Sequence, residues 1–245
     1  MPTIQHIDLN CDLGEGYDDA AIMPYISSCN IACGGHFGDE QSITECIMLA
    51  QAHQVNIGAH PSYPDKVNFG RKSLDIDITE LEIALSKQLK DVLKICSAQN
   101  VKLNHIKPHG ALYNDMAQNY DLAYNVMSTF HELSPQVLFY GMAHSQMELV
   151  AADLKIDFVP EAFADRRYLN LNELQSRSEE GAVIQNKEDL LAQLDLILKA
   201  QIIDHKLRTH ELRAATICLH SDTPQAVKLA RLIHSHLKVK GIDVH

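Results

Sequence analysis

The sequence has no excess of positive charge, no long apolar run and no phosphate-binding loop, and each absence argues against a class of function. Its formal net charge is −11 at pH 7, which argues against nucleic acid or an anionic membrane as a partner. No stretch approaches the apolar length that spans a bilayer. No Gly-x-x-x-x-Gly-Lys-[Ser/Thr] sequence occurs, so the chain has no recognisable phosphate loop, although this does not exclude an ATP site of another kind.

Cysteine is present but lacks the spacing of a redox or zinc motif. The six cysteines include no Cys-x-x-Cys pair, and Cys11, Cys33, Cys96 and Cys218 lie in apolar strand or helix patterns. A chain of this size does not need disulfides for stability. The N-terminus has no basic segment followed by an apolar core, so we expect no signal peptide. These features predict a reduced, cytoplasmic protein.

The composition is that of a globular protein, with 46% hydrophobic and 22% charged residues in 245 positions, and we predict one domain over residues 1–245. Amphipathic segments alternate with seven predicted strands at residues 4–10, 27–33, 54–60, 102–107, 136–141, 155–160 and 214–220. Strict β/α alternation favours a parallel sheet covered by helices. The first turn, residues 12–16, is too acidic for the phosphate loop of an open doubly wound sheet. We therefore predict a parallel seven-stranded (β/α) barrel, a TIM-like variant.

Several helix boundaries are also predicted. Residues 42–45 have capping-box spacing, and a long amphipathic helix is predicted over residues 187–203. Thr223 is predicted as the N-cap of the last helix, with Pro224 at its first position. The connections at residues 61–78 and 161–181 are longer than packing requires, and we expect both to form rims of a site.

Most of the predicted strands end abruptly in acids, histidine or glycine. Because the loops after parallel strands share one face of a barrel, these side chains should converge there. The candidate catalytic residues are Asp12, Glu15, His36, His60, Lys107, His109, Glu161 and His220. The candidate substrate-binding residues are Gly34, Gly35, Asp39, Asp165, Arg166 and Asp222.

The residue types suggest roles. The three acids of the catalytic set are candidate bases for water, and its histidines could move protons or orient those acids. Lys107 and Arg166 could hold a phosphate or a carboxylate. Gly34 and Gly35 would let a ligand approach backbone N–H groups. Asp39 and Asp222 serve equally well as helix caps, and Arg71 is expected only to pin its own loop.

Five motifs occur in one order across essentially the whole chain. They are Leu9-Asn10-Cys11-Asp12-Leu13-Gly14-Glu15, Asn30-Ile31-Ala32-Cys33-Gly34-Gly35-His36, Gly58-Ala59-His60-Pro61-Ser62-Tyr63-Pro64-Asp65, residues 105–114 and residues 161–166. This set resembles the LamB/YcsF family. The sequence departs from the expected pattern at Asn68 and Ser221, where glycine is expected, and these changes bear on loop geometry rather than on titratable groups.

The resemblance implies a fold akin to the glycoside hydrolase/deacetylase barrels. It also implies the role of the A subunit in a bacterial ATP-dependent 5-oxoprolinase, which opens 5-oxo-L-proline to L-glutamate with subunits B and C. ATP would be a co-substrate of the complex, with B and C activating the lactam and this chain opening it.

Two other functions stay open. One is a metal-dependent deacetylase or carbohydrate hydrolase of the same barrel type, and the other is a non-catalytic subunit that presents substrate to its partners. If a divalent metal is bound, the related deacetylase barrels suggest Asp12, His36 and His60 as its ligands. No local His-x-x-x-His spacing supports a metal, and the same groups could form a metal-free proton network.

Overall fold

The computed structural model describes residues 4–244. Its strands are β1 His6–Leu13, β2 Ser28–Ala32, β3 Asn56–His60, β4 His105–Ile106, β5 Leu138–Met142, β6 Phe158–Phe163, β7 Tyr168–Asn170, β8 Glu173–Leu174, β9 Gln201–Ile203, β10 Thr209–Glu211, β11 Thr216–His220 and β12 Asp243–Val244. Its helices are α1 Asp19–Ile22, α2 Glu40–His53, α3 Ile78–Ala98, α4 Gly110–Gln118, α5 Tyr120–Leu133, α6 Gln146–Leu154, α7 Lys187–Ile197 and α8 Ala226–Val239, with a 3₁₀ turn at Met23–Tyr25.

Seven of the strands close into a barrel. They pair in the order β1-β2-β3-β4-β5-β6-β11, and β11 pairs back with β1 in parallel register. Strand β12 extends the sheet beside the amino end of β1. Two antiparallel hairpins, β7–β8 and β9–β10, are inserted between β6 and β11. The predicted parallel seven-stranded (β/α) barrel is confirmed, and each of the seven predicted segments overlaps a barrel strand.

Several predicted boundaries are wrong, including that of β6, which ends at Phe163 rather than at residue 160. Strand β1 continues past the predicted end at residue 10 to Leu13, so that Asp12 lies within it. The helix predicted over residues 187–203 ends at Ile197, because the chain turns at Ala200, with φ of 58°, into the β9–β10 hairpin. The last helix begins at Ala226 after Gln225, and Thr223 is not its N-cap.

Helices surround the barrel with apolar faces, while the barrel interior is unusually polar. The stripe on α3 is buried, from Leu81 through Leu85 and Leu89 to Cys96. Inside the barrel, Gly58 of β3 lies opposite His105 of β4, and a Cβ atom at Gly58 would overlap the imidazole ring. The small strand residue therefore makes room for a polar side chain in the interior.

Two further sequence expectations concern cysteines and membranes. All six cysteines are free and buried, as the sequence predicted. Among residues 4–244, no helix combines the length and the apolar character needed to cross a membrane.

Candidate active site

A cavity of about 440 Å³ opens at the carboxyl ends of the barrel strands. Six of the predicted site residues line it, and each lies near the end of a barrel strand or in the loop after one: Asp12, His60, Lys107, His109, Arg166 and His220. Side chains from distant parts of the sequence thus converge as expected from strand-end positions.

Asp12 lies at the floor of this cavity. Its Oδ1 accepts hydrogen bonds from Asn30 Nδ2 at 2.8 Å and from Lys107 Nζ at 3.1 Å. Its Oδ2 is directed instead toward His60 Nε2 at 3.3 Å and His220 Nε2 at 3.9 Å. Burial acts to raise the pKa of Asp12, but the neighbouring His60 and the ammonium of Lys107 hold it well below its usual range. One oxygen is therefore fixed, and the other faces two imidazoles as an ionised acceptor.

The hydrogen bonds of His60 and His109 fix which ring nitrogens face the cavity. His60 donates through Nδ1 to the carbonyl oxygen of Lys107 at 2.7 Å, and His109 donates through Nε2 to the carbonyl oxygen of Phe69 at 2.9 Å. A carbonyl oxygen only accepts, so both protons are assigned by these partners. His60 Nε2 and His109 Nδ1 then face each other at 3.0 Å, beside Asp12. Two opposed lone pairs at this distance accommodate a shared proton or a cation.

Glu15 and His36 contact the His60–His109 pair but do not line the cavity. His36 donates through Nε2 to Glu15 Oε1 at 2.9 Å, and the same oxygen lies 3.3 Å from His109 Nδ1. The His36 ring stacks on His109 with centroids 3.6 Å apart. Burial lowers the pKa of His36 to about 3, although its hydrogen bond to Glu15 opposes this shift. The ring is therefore neutral, and within residues 4–244 its buried Nδ1 has no hydrogen-bond partner.

The buried groups include sets that could bind a metal. Asp12, His60 and His109 each offer a ligand atom, and these atoms lie within 4.8 Å of one another. Glu15, His36 and His109 form a second such set, and Asp12, Cys218 and His220 a third. The predicted set differs from these, because His36 bonds to Glu15 and His109 takes the place beside Asp12. The tautomers of His60 and His109 suit a metal, since the nitrogens that face Asp12 carry lone pairs.

His220 is oriented by the carboxylate of Asp165. It donates through Nδ1 to Asp165 Oδ1 at 2.9 Å, while Asp165 Oδ2 accepts from Thr223 Oγ1 at 2.5 Å. Burial acts to raise the pKa of Asp165, but the contact with His220 lowers it to about 2. Asp165 is fully buried, so it contacts His220 rather than the cavity. Thr223, predicted as a helix cap, instead completes this support.

A second group of polar side chains fills the barrel below the cavity, and we call it the lumen network. Lys107 Nζ lies 2.8 Å from Glu161 Oε1 and 3.0 Å from Asn10 Oδ1. Glu161 also accepts from Tyr113 through Oε2 at 2.7 Å and is fully buried. Burial acts to lower the pKa of Lys107, but Asp12, Cys218 and Glu161 raise it well above its usual range. The lumen network consists of Asn10, Asn30, His105, Lys107, Tyr113 and Glu161.

Gly34, Gly35 and Asp39 lie elsewhere. They line a separate cavity of about 780 Å³ between α2 and α3. Asp39 caps α2 by accepting from the backbone N–H of Ser42, and Ser42 Oγ accepts from the backbone N–H of Asp39, so this capping box begins three residues earlier than predicted. A Cβ atom at Gly35 would overlap Ser62 and Gln88. The role of Gly34, Gly35 and Asp39 in substrate binding stays a prediction.

Two arginines from the predicted rims approach Asp222 at the cavity mouth. Arg177 Nη1 donates to Asp222 Oδ2 at 2.8 Å, and Arg71 donates to the same oxygen. Arg71 also lies over Phe69 in its own loop, with Cζ 4.8 Å from the ring centroid. Arg177 was not among the predicted residues, because it lies in a polar run where nothing distinguishes it from a solvated charge. Asn10 and Asn30 were missed as well, although an amide inside an apolar strand is a usable signal.

Comparison with known proteins agrees with the motifs. The LamB/YcsF family profile matches residues 7–245. The 5-oxoprolinase A subunit of Bacillus cereus (strain 03BB102) is 37% identical and covers 97% of both chains. That of Staphylococcus aureus (strain Newman) is also 37% identical over 97% of this chain and 98% of its own. The crystal structure of the lactam utilization protein from Thermus thermophilus has a TM-score of 0.90 at 32% identity, covering 98% of this chain and 99% of that one. This chain belongs to the LamB/YcsF family.

Proposed function

We propose that this protein is the ring-opening subunit of an ATP-dependent 5-oxoprolinase and acts on 5-oxo-L-proline that partner subunits B and C have activated. The observation that carries the proposal is the position of Asp12 Oδ2, which faces His60 and His220 in a cavity at the barrel mouth. A carboxylate with one restrained oxygen and one oxygen beside two imidazoles suits the activation of water. The names of the relatives, which mention 5-oxoprolinase and lactam utilization, support the lactam as substrate.

The chemistry explains why ATP is needed. The lactam is a resonance-stabilised amide in an unstrained ring, so direct attack by water is slow. Phosphorylation of the amide oxygen gives an imidoyl phosphate, whose ring carbon accepts water readily. The C–N bond then breaks, nitrogen takes a proton, and the acyl phosphate that is left consumes a second water to give L-glutamate and phosphate.

The side chains divide this work. Asp12 takes the proton of the attacking water at Oδ2, and His60, whose Nε2 lies 3.3 Å away, accepts a hydrogen bond from the acid so formed. The proton then moves to His220 Nε2, 3.9 Å from Asp12 Oδ2, and from there to the ring nitrogen as the C–N bond breaks, while Asp165 holds the Nδ1–H of His220. The ammonium of Lys107 keeps Asp12 ionised and offsets negative charge that develops at the carbon.

The division of labour rests on what the chain lacks and on the names of its relatives. No phosphate loop occurs in the sequence, so we assign ATP binding to the partners and treat ATP as a co-substrate of the complex. The relatives are named as the A component of a lettered set, which implies further subunits. We place the assembled enzyme in the cytoplasm, in keeping with the six free cysteines.

A second candidate is a metal-dependent hydrolase of the deacetylase type. The side chains of Asp12, His60 and His109 favour it, because their ligand atoms converge and both imidazoles present lone pairs. A divalent metal held there would lower the pKa of a bound water. Metal content of the purified chain, compared with that of His109→Gln, tests this candidate independently of activity.

Reconstitution tests the main proposal. The purified chain, the two partners, and the three together are each incubated with ATP and 5-oxo-L-proline, and L-glutamate is measured. We expect glutamate only from the complete mixture. Robust turnover by the chain alone would overturn the division of labour. Turnover by the partners without this chain would show that the chain is not required for ring opening.

A further inference from the structure

The cavity has a strongly basic mouth in a protein that is acidic overall. Its lining includes five basic residues, Arg71, Lys72, Lys107, Arg166 and Arg177, but a single acid, Asp12. Lys107 is committed to Asp12 and Glu161 at the floor. The remaining four basic groups lie toward the rim and are supplied by the two long connections that the sequence predicted as rims.

Asp222 forms ion pairs with two of these basic residues, Arg71 and Arg177, but its single negative charge balances only one of them. Arg177 Nη1 contacts both of its oxygens, at 3.1 and 2.8 Å, and Arg71 shares Oδ2. Burial acts to raise the pKa of Asp222, but Arg177, His220 and Arg71 lower it, so the carboxylate is ionised. Two guanidinium groups on one carboxylate leave one positive charge in excess. The side chains of Arg71 and Arg177 are 35% and 25% exposed, so an anion can reach them.

Arg166 provides an independent sign of a missing partner. It is deeply buried, since only 5% of its surface is exposed, and it lines the same cavity. Its Nη2 donates to the carbonyl oxygen of Gln175 at 2.6 Å, but its buried Nε has no hydrogen-bond partner within residues 4–244. Burial, with the nearby charge of Arg177, lowers the pKa of Arg166 to about 10, so it stays charged at neutral pH. A buried charged donor without an acceptor is costly unless a ligand completes it.

We propose that Arg71, Arg166 and Arg177 form an oxyanion-binding site at the cavity mouth, in which Asp222 is an internal counter-ion that a bound carboxylate or phosphoryl group displaces. The inference rests on the proposed function, because it places the anionic end of the proposed substrate at the cavity mouth. The reacting carbon then lies at the floor beside Asp12 and His60, while the anionic end is held at the rim. Guanidinium groups suit this task, because their paired donors match the oxygens of carboxylate and phosphate.

Binding to the full-length chain tests the site. Inorganic phosphate and 5-oxo-L-proline are titrated separately by calorimetry into the wild type, Arg71→Gln, Arg177→Gln, the double variant and Asp222→Asn. Arg213→Gln is the matched control, because Arg213 forms an exposed pair with Glu211 before the amino end of β11. We expect each arginine variant to weaken binding roughly tenfold or more, and the control to leave it unchanged. Binding of phosphate alone identifies the phosphoryl group as the ligand, and binding of 5-oxo-L-proline alone identifies the carboxylate.

Asp222→Asn separates this proposal from a general loss of structure. Removing the internal counter-ion frees both arginines, so Asp222→Asn should bind anions more tightly than the wild type. The arginine variants should bind them more weakly. The proposal is overturned if the wild type binds neither ligand at millimolar concentration, if the double variant binds as the wild type does, or if Asp222→Asn loses binding. Arginine-dependent binding without turnover in the complete enzyme would contradict the proposed function but not this site. Normal turnover with an unchanged KM in the double variant would contradict the site but not the function.

Discussion

Two groups of buried titratable side chains occupy the same barrel, and they differ in how completely their hydrogen bonds are satisfied. In the lumen network, Lys107 pairs with Glu161 and Asp12, and Glu161 is further surrounded by the neutral donors Asn10 and Tyr113. The pocket cluster lies above it and consists of Asp12, Glu15, His36, His60, His109 and His220. In the pocket cluster, Asp12 Oδ2 and the facing nitrogens of His60 and His109 lie beside one another and face the cavity.

The difference shows that a titratable residue near a strand end is not by itself a catalytic group. Glu161 precedes the end of β6 by two residues and points into the closed interior. His220 is the last residue of β11 and reaches the cavity. The position along the strand therefore decides whether a side chain faces the cavity or the closed interior of the barrel.

Asp12→Asn should produce the largest effect on catalysis. The amide keeps the shape of the side chain but cannot accept the proton of water, so kcat for glutamate formation by the complete enzyme should fall by roughly 10²–10⁴. Steady-state kinetics in the reconstituted complex provide the measurement. A near-normal kcat would remove Asp12 as the base.

Lys107→Met should produce the largest effect on stability. It leaves Asp12 and Glu161 as unpaired buried carboxylates, which should cost about 3–5 kcal/mol in the free energy of unfolding. Urea denaturation measures this. Lys87→Met is the matched control, because Lys87 pairs with Asp91 on an exposed face and should cost less than about 1 kcal/mol. Equal losses in the two variants would contradict a structural role for the lumen network.

His105 makes the lumen network sensitive to acid. Burial lowers its pKa from 6.5 to about 3, so the folded protein keeps the ring neutral while the unfolded chain takes up a proton. Stability should therefore fall as pH drops from 6.5 toward 3, by about 1.4 kcal/mol per pH unit from this group. In His105→Gln, which keeps a donor toward Asn30, this part of the slope should disappear. An unchanged slope of unfolding free energy against pH would show that His105 does not carry it.

Asp39→Ala should produce the smallest effect. Its carboxylate caps α2 and lies outside both groups, so its loss should cost about 1 kcal/mol of stability. Kinetics of the complete enzyme distinguish a cap from a substrate ligand. An unchanged KM for 5-oxo-L-proline fits the cap, whereas a raised KM would support the role predicted from the sequence.

The sequence was sufficient for the architecture, because each apolar segment and each amphipathic helix carries a local signal. It also predicted that Asp12, His60, His109 and His220 converge at one cavity, since titratable residues after buried strands are conspicuous. It could not separate His36 from His109 beside Asp12, because that choice depends on side-chain orientation at the barrel mouth. Arg177 gave no signal, since its partner Asp222 lies 45 residues away along the chain.

The claim that this chain opens a ring already activated by its partners can be checked through the ratio of ADP to glutamate formed by the Asp12→Asn complex. If activation precedes ring opening, the variant complex should still consume ATP, giving ADP without matching glutamate and a ratio well above that of the wild-type complex. ADP and glutamate that fall together, with the wild-type ratio preserved, would contradict the claim.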